Sequence, residues 1–186
     1  MAATPSTMVP LGTMAPPFHL PDTVSGKWVS LDELKGRTGT VVMFICNHCP
    51  YVKLLNNSLV ALAREFQPKG IQFVAISSND AVQYPDDGPV AMKEVAQQLG
   101  YPFPYLYDET QDVARAYDAA CTPDFFLYDR ELKLVYRGQY DDARPGNNQP
   151  VTGADLRAAL DALVNGAAPS ANQRPSIGCN IKWKKI

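Results

Sequence analysis

The sequence predicts an α/β fold built on a central mixed β-sheet with helices on both faces. Three observations predict it. Residues 40–45 (TVVMFI) and 71–76 (IQFVAI) are continuous apolar, β-rich runs of the kind that form strands covered on both sides. Amphipathic helical patterns alternate with those runs. The order of elements, β-α-β-α-(β)-α-β-β-α, ends in a hairpin and a last helix, which a mixed sheet accommodates.

Residues 1–25 are rich in Pro, Thr and Met without a sustained period, and read as an extended lead-in. Residues 27–31 are a candidate short strand, and 32–35 a helical turn closed by Gly36. The strand at 40–45 runs into Cys46-Asn47-His48-Cys49-Pro50. There a helix begins whose apolar face is Val52, Leu55, Leu59, Leu62 and Phe66, with Lys53, Asn56, Asn57 and Arg64 opposite. Pro68 and Gly70 end it. The strand at 71–76 follows, then a loop at 78–88 full of turn formers. A helix at 89–99 has Pro89 at its first position and Gly100 beyond its end. Residues 104–107 suggest a short strand and 110–117 a short helix. The runs 125–128 and 133–137, joined by Asp129-Arg130-Glu131, suggest a hairpin. Residues 141–150 are a polar loop, and 153–164 a last helix with Leu156, Leu160 and Leu163 on one face.

The chain has 186 residues, which is one domain by length, here residues 1–166, with a tail at 167–186 expected to pack on it. A hydrophobic share of 46% and a charged share of 19% fit a globular protein rather than a disordered one. Seventeen Lys and Arg against nineteen Asp and Glu leave a net charge of −2, with no basic field for nucleic acid or anionic lipid. No apolar run reaches the ~18 residues of a membrane span. Residues 1–8 (MAATPSTM) lack the cationic start and apolar core of a signal peptide, so the cytoplasm is the expected compartment.

Chemistry concentrates at the CxxC. In a compartment that keeps thiols reduced, such a pair points to catalysis before scaffold. Where a buried strand ends and a helix begins, the Cys46 sulfur is expected at the helix amino terminus. Free N–H groups and the helix dipole stabilise a thiolate there. A thiolate attacks a disulfide, and a partner two positions along resolves the mixed disulfide. Cys46 is the expected nucleophile, as the normally exposed first cysteine, and Cys49 the resolving thiol. His48 between them is expected to favour thiolate and make the pair more oxidising. Zinc shares the CxxC spacing but needs two further ligands, and Cys121 and Cys179 stand far apart in sequence. No metal and no organic cofactor are expected, because the sulfurs carry the electrons.

Several stretches carry a family resemblance. They are residues 11–20 (LGTMAPPFHL) with Ser30-Leu31, 44–53 (FICNHCPYVK), 121–126 (CTPDFF), 136–139 (YRGQ) and 175–183 (PSIGCNIKW). Together they resemble peroxiredoxins and a bacterial peroxiredoxin-like (AhpC/TSA-related) branch of the thioredoxin superfamily. The resemblance implies a thioredoxin-like fold, and a thiol–disulfide oxidoreductase acting on protein or small-molecule disulfides or on peroxide. A thioredoxin or glutathione system would be its reducing partner. It also implies that Thr122-Pro123 is a cis-proline loop facing the CxxC on the substrate side. Cys121 would then lie near the pair, either as a third redox thiol or as a buried bystander.

The departures bear on peroxidase chemistry. In the peroxiredoxin pattern Pro-x-x-x-Thr-x-x-Cys, Cys49 takes the peroxidatic place, Cys46 replaces the threonine and Val42 the proline. The arginine expected before strand 125–128 is absent, so the donors that polarise a peroxide are missing. Arg137 is more simply structural. Peroxidase action at Cys49 is thus the second enzymatic reading. A non-catalytic redox sensor or a copper-binding relative are readings of another class, although copper carriers of this fold use a downstream histidine and only His19 and His48 are present. His19 reads as a surface or packing residue, the aromatic run 101–107 as core, and Asp86-Asp87 and Asp141-Asp142 as solvated loops. The tail, with Ile177, Ile181 and Trp183 around Cys179, is expected to fold back over the thiols. Cys179 is either a resolving thiol or part of a structural clasp.

Overall fold

The computed structural model describes residues 3–186. In chain order its strands and helices begin with β1 (Ala3–Pro5), β2 (His19–Pro21), β3 (Trp28–Ser30), α1 (Leu31–Leu34) and β4 (Gly39–Phe44). Then come α2 (Pro50–Phe66), β5 (Ile71–Ser77), α3 (Pro89–Leu99), β6 (Tyr105–Tyr107) and α4 (Asp112–Ala116). The last are β7 (Cys121–Thr122), β8 (Asp124–Asp129), β9 (Leu134–Gly138), α5 (Ala154–Val164) and β10 (Ile177–Asn180).

The main sheet runs β6-β5-β4-β8-β9. β4 pairs parallel with β5 and antiparallel with β8, so the sheet is mixed as expected. Every residue of β4 is buried because both of its faces are covered. Side chains alternate across a strand, which splits its apolar run between two cores. Val41 and Met43 join Val52, Leu55, Leu59, Leu62 and Phe66 of α2, with α3 and α5 alongside. Val42 and Phe44 join Phe18, Leu20, Leu31, Tyr117 and Phe126 on the other side. That second face is closed mainly by the lead-in and the short helices α1 and α4. The mixed sheet, its helical cover and the β8–β9 hairpin make the thioredoxin-like fold.

Local signals account for the elements. Ser30 and Glu33 form a reciprocal capping box on α1. Pro50 opens α2, and Gly100 closes α3 in the left-handed conformation. Two expectations about polarity are corrected. Asn56 is buried on α2 because Tyr101 Oη donates to its Oδ1 at 2.8 Å. Asp141 is buried as well, since its Oδ2 accepts the N–H groups of Thr152 and Gly153, each at 2.8 Å.

The tail is a structural strand. β10 lies between β1 and β7 in a second, antiparallel sheet, with Cys179 opposite both Ala3 and Thr122. Gly178 permits this approach: a Cβ there would stand 2.0 Å from the Thr122 carbonyl oxygen. Beyond the strand, Lys182 N donates to Asn79 Oδ1 at 2.8 Å, and Gln111 Nε2 donates to Lys182 O at 2.9 Å. Arg115 lies 4.9 Å from the centre of the exposed Trp183 ring. No described helix is long and apolar enough to cross a membrane.

Candidate active site

The site forms where β4 ends, at the carboxyl edge at which open α/β sheets usually place chemistry. Ile45 through Cys49 make an irregular turn, and α2 begins at Pro50 with Cys49 as its N-cap. This corrects the expected geometry, in which Cys46 held that position. Residues 45–49 separate β4 from α2, and the second sulfur takes the helix end. Nor does Cys46 stand clear of the surface: it is 2% exposed, and Cys49 0%.

Opposite the turn lies β7, and the Thr122–Pro123 peptide bond is cis. Thr122 touches both sulfurs. Its Oγ1 lies 3.4 Å from Cys46 Sγ, and its carbonyl oxygen lies 3.3 Å from Cys49 Sγ. A third sulfur arrives from β10, with Cys49 Sγ and Cys179 Sγ 2.8 Å apart. Cys121 is not brought in. It is fully buried with its thiol directed at Pro123 O at 3.6 Å, and burial pushes that thiol up.

These contacts fix where negative charge rests. Hydrogen bonding from Cys46, helped by Cys179, Thr122 and the Val52 backbone, lowers Cys49 from 9.0 to about 4. Hydrogen bonding to Cys49, then burial, then the nearby Asp87 carboxylate push Cys46 upward. Cys179 is pushed up to about 12 by burial and by its bond to Cys49. Both directions favour negative charge on Cys49 over Cys46 and Cys179.

Asp87, read from sequence as a solvated loop acid, is fully buried and organises the turn. Its Oδ1 accepts Asn47 N at 2.8 Å and His48 N at 3.2 Å. Its Oδ2 accepts Asn79 Nδ2 at 2.9 Å and pairs with His48 Nδ1. The His48 ring stacks on Tyr84, with centroids 5.7 Å apart. His48 thus faces a buried carboxylate. Asn47 is pinned further by Tyr105 Oη, which donates to its Oδ1 at 2.8 Å. Tyr105 is fully buried, so that part of the aromatic run is core that also braces the site.

Donor atoms of Cys46, His48 and Asp87 all lie within 4.8 Å of one another. A cation there would have to displace the His48–Asp87 hydrogen bond. Arg137 is fully buried and committed elsewhere. It pairs with Asp124 through Nη1, and through Nη2 at 3.0 Å, and Nε donates to Thr7 O at 3.1 Å. It supplies no free donor to the sulfurs.

Comparison with known proteins matches residues 11–137 to the AhpC/TSA family. The chain is 61% identical to an uncharacterized conserved protein from Geobacillus kaustophilus, with a TM-score of 0.98 covering 100% of this chain and 98% of that one. It is 50% identical to a hypothetical protein from Sinorhizobium meliloti 1021, with a TM-score of 0.96 covering 98% and 100%. Thiol-disulfide oxidoreductase ResA from Bacillus thuringiensis (strain Al Hakam) is 27% identical over 125 residues, 67% of each chain.

Proposed function

The chain belongs to the AhpC/TSA family, and from that premise we propose that it is a thiol–disulfide oxidoreductase whose working pair is Cys46 and Cys49. The observation that carries the reading is the meeting of both sulfurs with Thr122 of the cis-proline loop, with Cys49 at the start of α2.

The charge distribution assigns the steps. In the oxidised protein an incoming thiolate attacks Cys46 Sγ, and the electron pair of the broken S–S bond leaves on Cys49. A low-pKa thiol leaves faster, so the sulfur at about 4 is the leaving group and Cys46 the one that exchanges. In reverse, the Cys46 thiol passes its proton to Cys49 as it attacks a substrate disulfide and expels one substrate sulfur as thiolate. Cys49 returns the proton to that sulfur, attacks Cys46 Sγ to form the Cys46–Cys49 bond, and the second substrate sulfur leaves as thiolate. Protein or small-molecule disulfides are the proposed substrates, a thioredoxin or glutathione system the proposed donor, and the cytoplasm the proposed compartment.

Peroxidase action at Cys49 is the second reading, favoured by its thiolate at the helix N-cap. Against it, Cys46 occupies the threonine position, and Arg137 is fully engaged with Asp124, Ser6 and backbone oxygens. The test is turnover of a protein disulfide with dithiothreitol as reductant. The wild type should exceed dithiothreitol alone, and Cys46→Ala should fall back to it. A wild type no faster than the reductant, yet reacting with hydrogen peroxide far faster than free cysteine, would replace the first reading by the second.

A further inference from the structure

Cys179 is buried in the centre of the site yet has no part in a two-cysteine cycle. Its position is set by backbone pairing, not by a loose tail. β10 is hydrogen-bonded between β1 and β7, and Cys179 stands in register with Thr122, the residue that touches both sulfurs of the pair. Its own sulfur lies 2.8 Å from Cys49 Sγ. A disulfide bond is about 2.05 Å long, so roughly 0.8 Å of closure separates this contact from a covalent bond. The other spare cysteine, Cys121, is equally buried and one residue from Thr122, yet its thiol faces a backbone oxygen. Close approach is thus particular to Cys179 of the two, and Gly178 permits it by having no Cβ to strike Thr122.

We propose that Cys179 is a third redox thiol of this centre, exchanging with the Cys46–Cys49 disulfide to give a Cys49–Cys179 disulfide and a free Cys46. The inference rests on the reading of Cys46 and Cys49 as the redox pair. The step balances within the chain. Cys179 gives up its proton and attacks Cys49 Sγ, the Cys49–Cys179 bond forms, and the Cys46–Cys49 bond breaks. Cys46 leaves with the electron pair and takes up one proton. No electrons enter or leave, so the two disulfides are isomers at one oxidation level. Cys49 is the shared member because it alone touches a sulfur on the tail side.

The isomers differ in what they leave free. With Cys46 and Cys49 bonded, the pair is the oxidant of the proposed cycle. With Cys49 and Cys179 bonded, β10 is tied to the start of α2 and Cys46 is a thiol again, able to bond covalently to a partner. Cys179 therefore either resolves Cys49 or sets aside the disulfide while Cys46 stays in play.

The test uses the full chain, reduced and then oxidised with one equivalent of diamide. Samples are acid-quenched over time, alkylated, digested and mapped by mass spectrometry. In the wild type both the Cys46–Cys49 and the Cys49–Cys179 linkage are expected, interconverting at constant total disulfide. Cys46→Ala should yield Cys49–Cys179 alone, Cys179→Ser should yield Cys46–Cys49 alone, and Cys121→Ser should match the wild type. Gly178→Ala, which forces β10 away from Thr122, should cut the Cys49–Cys179 share severalfold while keeping Cys46–Cys49. A wild type holding only Cys46–Cys49, with a folded Cys46→Ala that leaves Cys49 unpaired, would overturn the proposal and leave the two-cysteine reading standing. A wild type that forms Cys49–Cys179 but never Cys46–Cys49 would instead remove the two-cysteine reading, and the exchange step with it.

Discussion

Replacing Asp87 by Asn tests whether this buried carboxylate organises the active turn. Four donors converge on it: the backbone N–H groups of Asn47 and His48, Asn79 Nδ2, and His48 Nδ1. The amide retains an oxygen for the two backbone donors, but those bonds fall from charged to neutral, about 1 kcal/mol each. Its NH2 then faces His48 Nδ1, which accepts from it in the other tautomer, and Asn79 Nδ2, a donor against a donor, which leaves one buried group unsatisfied at about 1–2 kcal/mol. Relief from desolvating a charge offsets part of this, leaving about 2 kcal/mol net. For a domain of this size that lowers Tm by roughly 6 °C. The charge also pushes Cys46 upward, so its removal lowers the Cys46 thiol and speeds alkylation there. Thermal unfolding of the reduced protein, with peptide-mapped iodoacetamide labelling at pH 7, reads both effects. An Asp87→Asn protein melting within about 1 °C of the parent, with Cys46 labelled no faster, would refute the reasoning.

Two further outcomes follow from the geometry. The reduced protein should carry its thiolate on Cys49 at neutral pH, seen as absorbance at 240 nm that disappears as pH falls through about 4 and is absent in Cys49→Ser. Because this folded value lies below the ordinary 9.0, the stability it contributes is fully present above 9.0 and is lost as pH falls through about 4. Asp124→Asn should cost about 3–5 kcal/mol in urea unfolding, because it leaves the fully buried Arg137 guanidinium without its carboxylate.

The fold was legible wherever short-range pattern decided it. The uninterrupted run at β4 and the spacing of Val52, Leu55, Leu59, Leu62 and Phe66 declare a covered strand and a one-faced helix, because burial forces those periods. The CxxC stood out as the candidate pair from its place between them. What escaped was set by partners distant in sequence. Asp87 sits beside Asp86 among turn formers, and nothing local separates the buried acid from the solvated one. Its donors Asn47 and His48 lie 40 and 39 positions upstream. The pairing of β10 with β1 and β7 likewise joins residues across most of the chain, beyond any local period. Cysteine content drew attention to the tail but could not rank Cys179 above Cys121. The strand register makes that distinction, through one missing Cβ at Gly178. The sulfur at the helix end differs from the expected one for a smaller reason: a few irregular residues before Pro50 hand that place to Cys49.

The antiparallel seating of β10 beside β7 also orders events in time. Synthesis runs from the amino end, and Cys179 is added 130 residues after Cys49. Through most of translation the emerging chain holds Cys46 and Cys49 without the strand that covers them. In that interval Cys49 lacks its contact with Cys179. The hydrogen bond between Cys179 and Cys49, one of those that lower the Cys49 thiol, can therefore form only once the last residues of the chain have been made.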